Sequence, residues 1–324
     1  MLDSLHMELG PTFAEDEAGR VVPALSRNGA GRPVLLTTDA GYDVGRWDHR
    51  TGEPLWHFRG DALVSTLAVA TPAGRVAVVA VGTDMGVLRV DAESGRVICD
   101  GALADFDDSI WDVTTGMLPG GRAFIAAATQ CEPYVGYWDA ATGEALDPPL
   151  RGPDRPLKTI TSLTLTDGTV LIAAEDEAGV VFRWVAATGE CFGRLVDGPG
   201  AYNMRMTSLV LPDRRAMLAS LDMNGMLSRW NAVTGELLGP PLQLGSDCGD
   251  VAAACLGERG LLFVSPDGGV VRVLDAVTGQ PAYSPIPGVN PTALGCLDGT
   301  VLLATVHIAA GCARLTRVSA DPPR

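Results

Sequence analysis

One short phrase occurs six times along this chain of 324 residues. It reads RWDHRTGE at residues 46–53 and WDAATGE at residues 138–144. The glycines of the six copies stand at positions 52, 95, 143, 189, 235 and 279, so their spacings are 43, 48, 46, 46 and 44. An internal period of this length predicts a series of similar structural units packed side by side, because each unit is too small to bury its own apolar face.

The phrase has the chemistry of a tight turn between two strands. Every copy has an apolar or aromatic residue five before the glycine, and five of the six copies have Asp or Asn four before it. Every copy has Thr or Ser directly before the glycine. Glycine adopts positive φ at little steric cost, and short polar side chains hydrogen-bond to nearby backbone. Each copy therefore predicts the end of one strand, a turn and the start of the next strand.

The period and the composition together predict an all-β fold. A repeat of about 45 residues with many short strands is typical of a β-propeller blade. Three strand-like runs per unit count to seven units, and the last unit lacks its outer strand, which the N-terminal run can supply. The prediction is a seven-bladed β-propeller of four-stranded antiparallel blades. It forms a single domain over residues 1–324, with a closing strand at 3–13 and blades at approximately 20–59, 62–101, 108–151, 158–197, 204–244, 248–285 and 289–318.

Trp-Asp followed by Thr-Gly at this period resembles the WD-repeat propellers, in a divergent bacterial form. The resemblance covers about residues 20–318. The chain departs from that family because no Gly-His dipeptide opens the units, and because Val185 and Asn231 replace the aspartate in two copies. The quinoprotein-like propellers are the second choice. They use Asp-x-x-Thr-Gly with a tryptophan four residues after the glycine, which here only Trp56 provides.

Charge and cysteine content narrow the classes of partner. The net charge is −15, and Lys158 is the single lysine. An acidic chain is a poor ligand for nucleic acid or for an anionic membrane, since both require counter-charge. The seven cysteines are scattered without metal-ligand spacing, which indicates reduced thiols. The N-terminus lacks the basic and apolar segments of a signal peptide. We therefore expect a cytoplasmic monomer.

The predicted fold sorts the loops onto two rims. We define the acidic rim as the loops between the second and third strand of each blade, together with the connections into each inner strand. It carries sixteen acidic residues against Arg155, Lys158 and Arg205. Aromatic side chains beside carboxylates can hold a basic side chain. The candidate binding residues are Tyr42, Asp43, Asp105, Phe106, Asp107, Asp108, Glu132, Tyr134, Glu175, Asp176, Glu177, Tyr202 and Arg205.

Two functions follow from this pattern. The first is a non-catalytic scaffold that binds a partner protein or a basic peptide segment on the acidic rim, with residues 105–108 and 175–177 as its densest acidic segments. The alternative is an enzyme or small-molecule-binding propeller with its site in the mouth of the central channel.

No nucleophile, zinc or phosphate-loop motif occurs, so no catalytic residue, metal or cofactor is assigned. A solvated acidic surface without a ligand is also compatible with the pattern. Trp111 is interpreted as a packing residue of an inner strand.

Overall fold

A computed structural model of the chain describes residues 5–15, 22–27, 33–38, 43–60, 64–72, 77–98, 108–147, 150–196, 203–245, 249–265, 270–297, 300–307 and 312–319. The chain folds into seven antiparallel blades, and the prediction of an all-β, seven-bladed propeller is confirmed. Blade 1 contains β2 (Val22–Arg27), β3 (Pro33–Thr38), β4 (Asp43–Trp47) and β5 (Pro54–Arg59), and blade 2 contains β6 (Val64–Ala70), β7 (Val78–Thr83) and β8 (Gly86–Asp91). Blade 3 contains β9 (Ile110–Leu118), β10 (Arg122–Thr129) and β11 (Val135–Asp139). Blade 4 contains β12 (Leu157–Thr164), β13 (Val170–Asp176), β14 (Val180–Val185) and β15 (Glu190–Val196).

The remaining blades follow the same order. Blade 5 contains β16 (Asn203–Val210), β17 (Ala216–Asp222), β18 (Met226–Asn231) and β19 (Leu242–Gln243). Blade 6 contains β20 (Asp250–Leu256), β21 (Arg259–Ser265), β22 (Val270–Asp275) and β23 (Pro281–Pro287). Blade 7 contains β24 (Val289–Leu297), β25 (Thr300–His307), β26 (Cys312–Ser319) and the N-terminal β1 (His6–Glu15). In blades 2 and 3, isolated bridges occupy the outer position. They join Val90 to Val97, Trp138 to Ala145 and Val135 to Leu150.

The two ends of the chain close the ring. Strand β1 pairs antiparallel with β26, with His6 opposite Ser319 and Met7 opposite Val318. The N-terminal run therefore supplies the outer strand of the last blade, as the sequence predicted. The inner strands β2, β6, β9, β12, β16, β20 and β24 contact one another in sequence, and β24 contacts β2 again. Closure leaves the inner edges of the blades facing one central channel, which is how a radial array protects its strand edges.

The core lies between adjacent blades. The middle strands β7 and β13 are buried along their whole length, and Phe124 to Ala128 of β10 is fully buried. Continuous apolar sequence in these strands follows from burial on both faces, because a neighbouring blade covers each side.

The repeated phrase forms the turn that its chemistry predicts. Asp48 Oδ1 accepts the backbone N–H groups of Arg50 at 2.7 Å and Thr51 at 3.0 Å, and Gly52 has a φ of 76°. Asn231 Oδ1 accepts the equivalent pair of N–H groups at 2.9 and 3.0 Å. The amide oxygen of Asn231 therefore makes the same two turn hydrogen bonds as the carboxylate oxygen of Asp48.

The same turns also join neighbouring blades. In the repeated phrase, the residue directly before the Trp47 position donates a side-chain hydrogen bond to a backbone carbonyl in the turn of the next blade. Arg46, for example, donates to the carbonyl of Ala92. Such bonds satisfy turn carbonyls and fix the rotation of one blade against the next. The other contacts run from Arg89 to Ala141 (2.9 Å), Tyr137 to Ala186 (3.0 Å), Arg183 to Ala232 (2.6 Å) and Arg229 to Val277 (2.7 Å).

Candidate functional site

The acidic rim is the end of each blade where the inner strand begins and the second strand ends. In blade 4, for example, Leu157 at the start of β12 pairs with Asp176 at the end of β13. The candidate residues Tyr42, Asp105, Phe106, Asp107 and Tyr202 lie outside the described residues.

Three candidate acids are buried and hold the local structure of their loops. Glu175 Oε2 accepts a hydrogen bond from Ser220 of the next blade at 2.6 Å. Asp176 Oδ1 accepts the N–H groups of Ala178 and Val180, both at 2.9 Å. Asp108 accepts N–H groups from residues 131 and 132. A buried carboxylate is stable when donors surround it. These three residues therefore stabilise their loops and do not contribute to the exposed surface of the acidic rim.

The other described candidates remain on or near the surface. Glu132 is exposed, and Glu177 and Tyr134 are half-buried. Burial, followed by the charges of Glu132 and Asp108, raises the pKa of Tyr134. Asp43 begins β4, and its carboxylate lies 3.8 Å from Arg59 Nη1 and 3.9 Å from His57 Nε2.

Exposed apolar side chains lie on the same rim. Met85 is 66% exposed in the turn between β7 and β8, and Met223 is 52% exposed in the turn between β17 and β18. Trp111, which the sequence analysis interpreted as packing, is 41% exposed, and Lys158 Nζ lies 4.3 Å from its ring centroid. The exposed acids Asp84, Glu132 and Asp154 belong to loops of this rim. The two methionines were not among the residues predicted from the sequence, although both follow an acidic residue in a β-turn.

Four successive inner strands carry a β-bulge at the same place. Their pairing with the second strand skips one residue near the start of the strand, and the skipped residues are Ser65, Trp111, Lys158 and Met204. A bulge bends the strand and changes the direction of adjacent side chains. The residue after each bulge, Thr66, Asp112, Thr159 or Arg205, lies at an equivalent register position in its blade.

Asp112 connects three of these strands. Its Oδ1 accepts hydrogen bonds from Thr66 Oγ1 of β6 and from its neighbour Val113 N, both at 3.0 Å. Its Oδ2 accepts hydrogen bonds from Thr159 Oγ1 at 2.9 Å and Ile160 N at 3.1 Å, both of β12. The carboxylate is therefore fully used in holding blades 2, 3 and 4 together.

Arg205 lies between two carboxylates at the channel mouth. Its Nη1 is 3.9 Å from Asp112 Oδ1, and its Nε is 3.8 Å from Asp250 Oδ1. The side chains of Arg205, Asp112 and Asp250 are 30%, 12% and 16% exposed. We call these three residues the mouth triad. With all three groups ionised, the mouth triad carries a net charge of −1.

The mouth triad perturbs the protonation of Asp250. Burial raises the pKa of Asp250 to about 6, with a further increase from the charge of Asp112, against the opposing effects of Arg205 and of the Val251 N–H. Burial lowers the pKa of Arg205, but the charges of Asp250 and Asp112 outweigh it and raise that pKa. Buried carboxyl groups with raised pKa values are a common feature of ligand-binding sites.

The raised pKa of Asp250 predicts a pH dependence of the free energy of unfolding. Because the folded protein binds this proton more tightly than the unfolded chain, the contribution of Asp250 to the free energy of unfolding decreases as the pH rises from about 4 to about 6. Replacing Asp250 by asparagine is expected to remove that decrease. In a variant that retains Asp250, Arg205→Gln is expected to move the pKa of Asp250 above 6, because a neighbouring positive charge is lost.

Carbon-13 NMR titration of aspartate-labelled protein measures both effects, together with urea unfolding at pH 4 and pH 6. The matched control for the loss of one carboxylate is Glu258→Gln, because Glu258 is exposed in the turn between β20 and β21, at the opposite end of the blade from Asp250. A native Asp250 that titrates near pH 4 would contradict the prediction.

Within the described part of the chain, no group of three or more His, Cys, Asp or Glu side chains is placed to hold a metal ion. The same residues contain no helix with the length and hydropathy needed to cross a membrane.

The molecule is thus a seven-bladed propeller with a charged channel mouth and an apolar and acidic rim. Residues 18–192 match the model of the PQQ_2 family, described as outer membrane protein assembly factor BamB. The match covers just over half of the chain, and the chain belongs to this family. It favours the quinoprotein-type propellers, ranked second by the sequence analysis, over the WD-repeat propellers ranked first. No curated protein matches the chain significantly.

Proposed function

We propose that the chain is a non-catalytic protein-interaction propeller that binds a partner protein on its acidic rim. The segment it recognises is extended and carries both basic and apolar side chains. The family description names an assembly factor, and an interaction role of this kind agrees with the fold. Propellers serve many unrelated functions, however, so the argument for this one comes from the surface itself.

The observation that carries the proposal is the exposure of Met85, Trp111 and Met223 on a rim that also bears exposed carboxylates. Tryptophan is enriched among the residues that dominate binding energy, and the flexible methionine side chain adapts to a partner's shape. The carboxylates add a long-range attraction for basic segments, which increases the association rate. Apolar contacts thus provide affinity, and charge selects the partner.

The experiment compares two sets of immobilised twelve-residue peptides by biolayer interferometry. One set contains Arg, Lys and Leu, and the other has Glu in place of every Arg and Lys. We expect the protein to bind only the basic set, and Trp111→Ser combined with Met85→Ser to weaken binding by about tenfold or more.

Leu55→Ser is the matched control, because Leu55 is 51% exposed on the outer strand β5, away from the acidic rim. The Leu55→Ser variant is expected to bind the basic peptides as tightly as the native protein does. Equal binding of the basic and acidic peptide sets, or equal weakening by Leu55→Ser, would refute the proposal.

A second candidate is a small molecule bound at the channel mouth, favoured by the raised pKa of Asp250 beside Arg205. Binding of an uncharged metabolite that alters the titration of Asp250 in the absence of any peptide would support this candidate.

The cellular setting is also a proposal. We propose a cytoplasmic monomer without nucleic-acid or membrane partners, on the basis of the acidic charge and of the free cysteines Cys131, Cys191, Cys255 and Cys312. Cell fractionation and light scattering measure these two properties.

A further inference from the structure

We infer that Asp250 is the counter-ion for one cationic side chain, a guanidinium or an ammonium group, that a partner segment inserts into the channel mouth. This inference rests on the proposed function, since it assigns one residue of the partner to one residue of the propeller.

The two carboxylates of the mouth triad differ in how many hydrogen bonds they accept within the protein. Both oxygens of Asp112 are used by donors from its own strand and its neighbours. Asp250 differs, because its Oδ1 accepts the N–H of Val251 at 2.8 Å and no described residue donates a hydrogen bond to its Oδ2. Asp250 therefore retains an acceptor for an incoming donor.

Asp250 is only weakly neutralised by the protein's own charges. Arg205 approaches it only to 3.8 Å, beyond direct hydrogen-bond distance, and is shared with Asp112. The neighbouring strand β24 has no Asp, Glu, His, Lys or Arg, and on β21 the single such residue, Arg259, lies at the opposite end from Asp250. Arg205 and Asp112 are thus the charged groups that face Asp250 from the described strands around it.

The net charge of the mouth triad also favours a bound cation. A triad with charge −1 in a partly desolvated channel favours one additional positive charge. Burial raises the pKa of Asp250 to about 6 despite Arg205, so below this pH a proton supplies that charge in the free protein. A bound guanidinium or ammonium group would replace this proton.

The rim already shows how an ammonium group is accommodated nearby. The single lysine of the chain, Lys158, lies over the ring of Trp111, and both residues occupy the bulge positions of adjacent inner strands. Cations are therefore held at the mouth of the channel by both kinds of partner that attract them, carboxylates and an aromatic ring.

The test uses the full chain with aspartate carbon-13 labels and two peptides. The probe is acetyl-Gly-Arg-Gly-amide, and its control carries citrulline, which has nearly the same shape without the charge. We expect the arginine peptide at saturation to lower the pKa of Asp250 by about one unit, and the citrulline peptide to leave it unchanged. This measurement requires no variant, so a folding defect cannot obscure it.

Titration calorimetry then measures how much Asp250 contributes to binding of the arginine peptide. Asp250→Asn is expected to weaken arginine-peptide binding by about tenfold or more, whereas Glu258→Gln is expected to leave it unchanged. Equal binding of both peptides, full affinity of Asp250→Asn, or no binding of the arginine peptide would each overturn the inference. The proposed function fails separately, through loss of the distinction between the basic and acidic peptide sets or between the rim variant and Leu55→Ser.

Discussion

Asp112→Ala is expected to lower the free energy of unfolding by about 3–5 kcal/mol. The substitution leaves the hydroxyl groups of Thr66 and Thr159 and the N–H of Ile160 without their acceptor. An unsatisfied buried donor costs about 1–3 kcal/mol. Arg205 also loses one of its two counter-ions. The urea midpoint at pH 7 measures the effect.

Glu258→Ala is the control for this substitution, since it removes one carboxylate from an exposed turn of blade 6 and is expected to change stability by less than about 0.5 kcal/mol. Equal urea midpoints for the two variants would show that the hydrogen bonds of Asp112 do not stabilise the ring. Asp112→Asn retains one oxygen acceptor and is expected to fall between the two, because its NH₂ group cannot accept the N–H of Ile160.

Gly143→Ala is expected to cost about 2–4 kcal/mol of stability, for two separate reasons. Gly143 has a φ of 73°, which is unfavourable for alanine. An added Cβ would also lie 2.8 Å from Cζ and from Nη2 of Arg89, whose guanidinium crosses from the preceding blade. The arginine cannot move without losing its hydrogen bond to Ala141 O.

The matched control is Gly168→Ala, in the turn between β12 and β13. Gly168 has a φ of 86°, and no other residue lies within 4 Å of a Cβ placed there. This variant therefore isolates the backbone cost of about 1 kcal/mol. Thermal unfolding of both variants separates the two costs, and equal destabilisation would mean that the contact with Arg89 has no energetic weight.

These experiments address features that the sequence predicted to different degrees. The spacing of the glycines predicted the propeller repeat, and the three strand-like runs in each unit predicted seven blades. The missing fourth strand after residue 318 predicted closure by the N-terminal strand. These predictions depend on periodicity and on the pairing of strand edges, which are local or repeated properties. The capping role of Asp48 followed in the same way from turn chemistry.

The candidate site was predicted less well. Acidic residues near strand ends were interpreted as one surface, but Glu175 and Asp176 turn inward to bind Ser220 and the backbone of their own loop. Trp111 was interpreted as packing, but it is 41% exposed. Trp111 is itself the bulge residue of β9, and alternation along one strand does not reveal where a bulge occurs.

The sequence by itself determined the repeat, the turns, the count of blades and the acidic charge, because each of these depends on neighbouring residues or on a fixed period. Only the tertiary structure decided that Asp112, Arg205 and Asp250 lie together, since they belong to three different blades and approach one another only when the ring closes. It also decided their chemistry, because the pKa of Asp250 depends on burial and on charges that arrive from other blades.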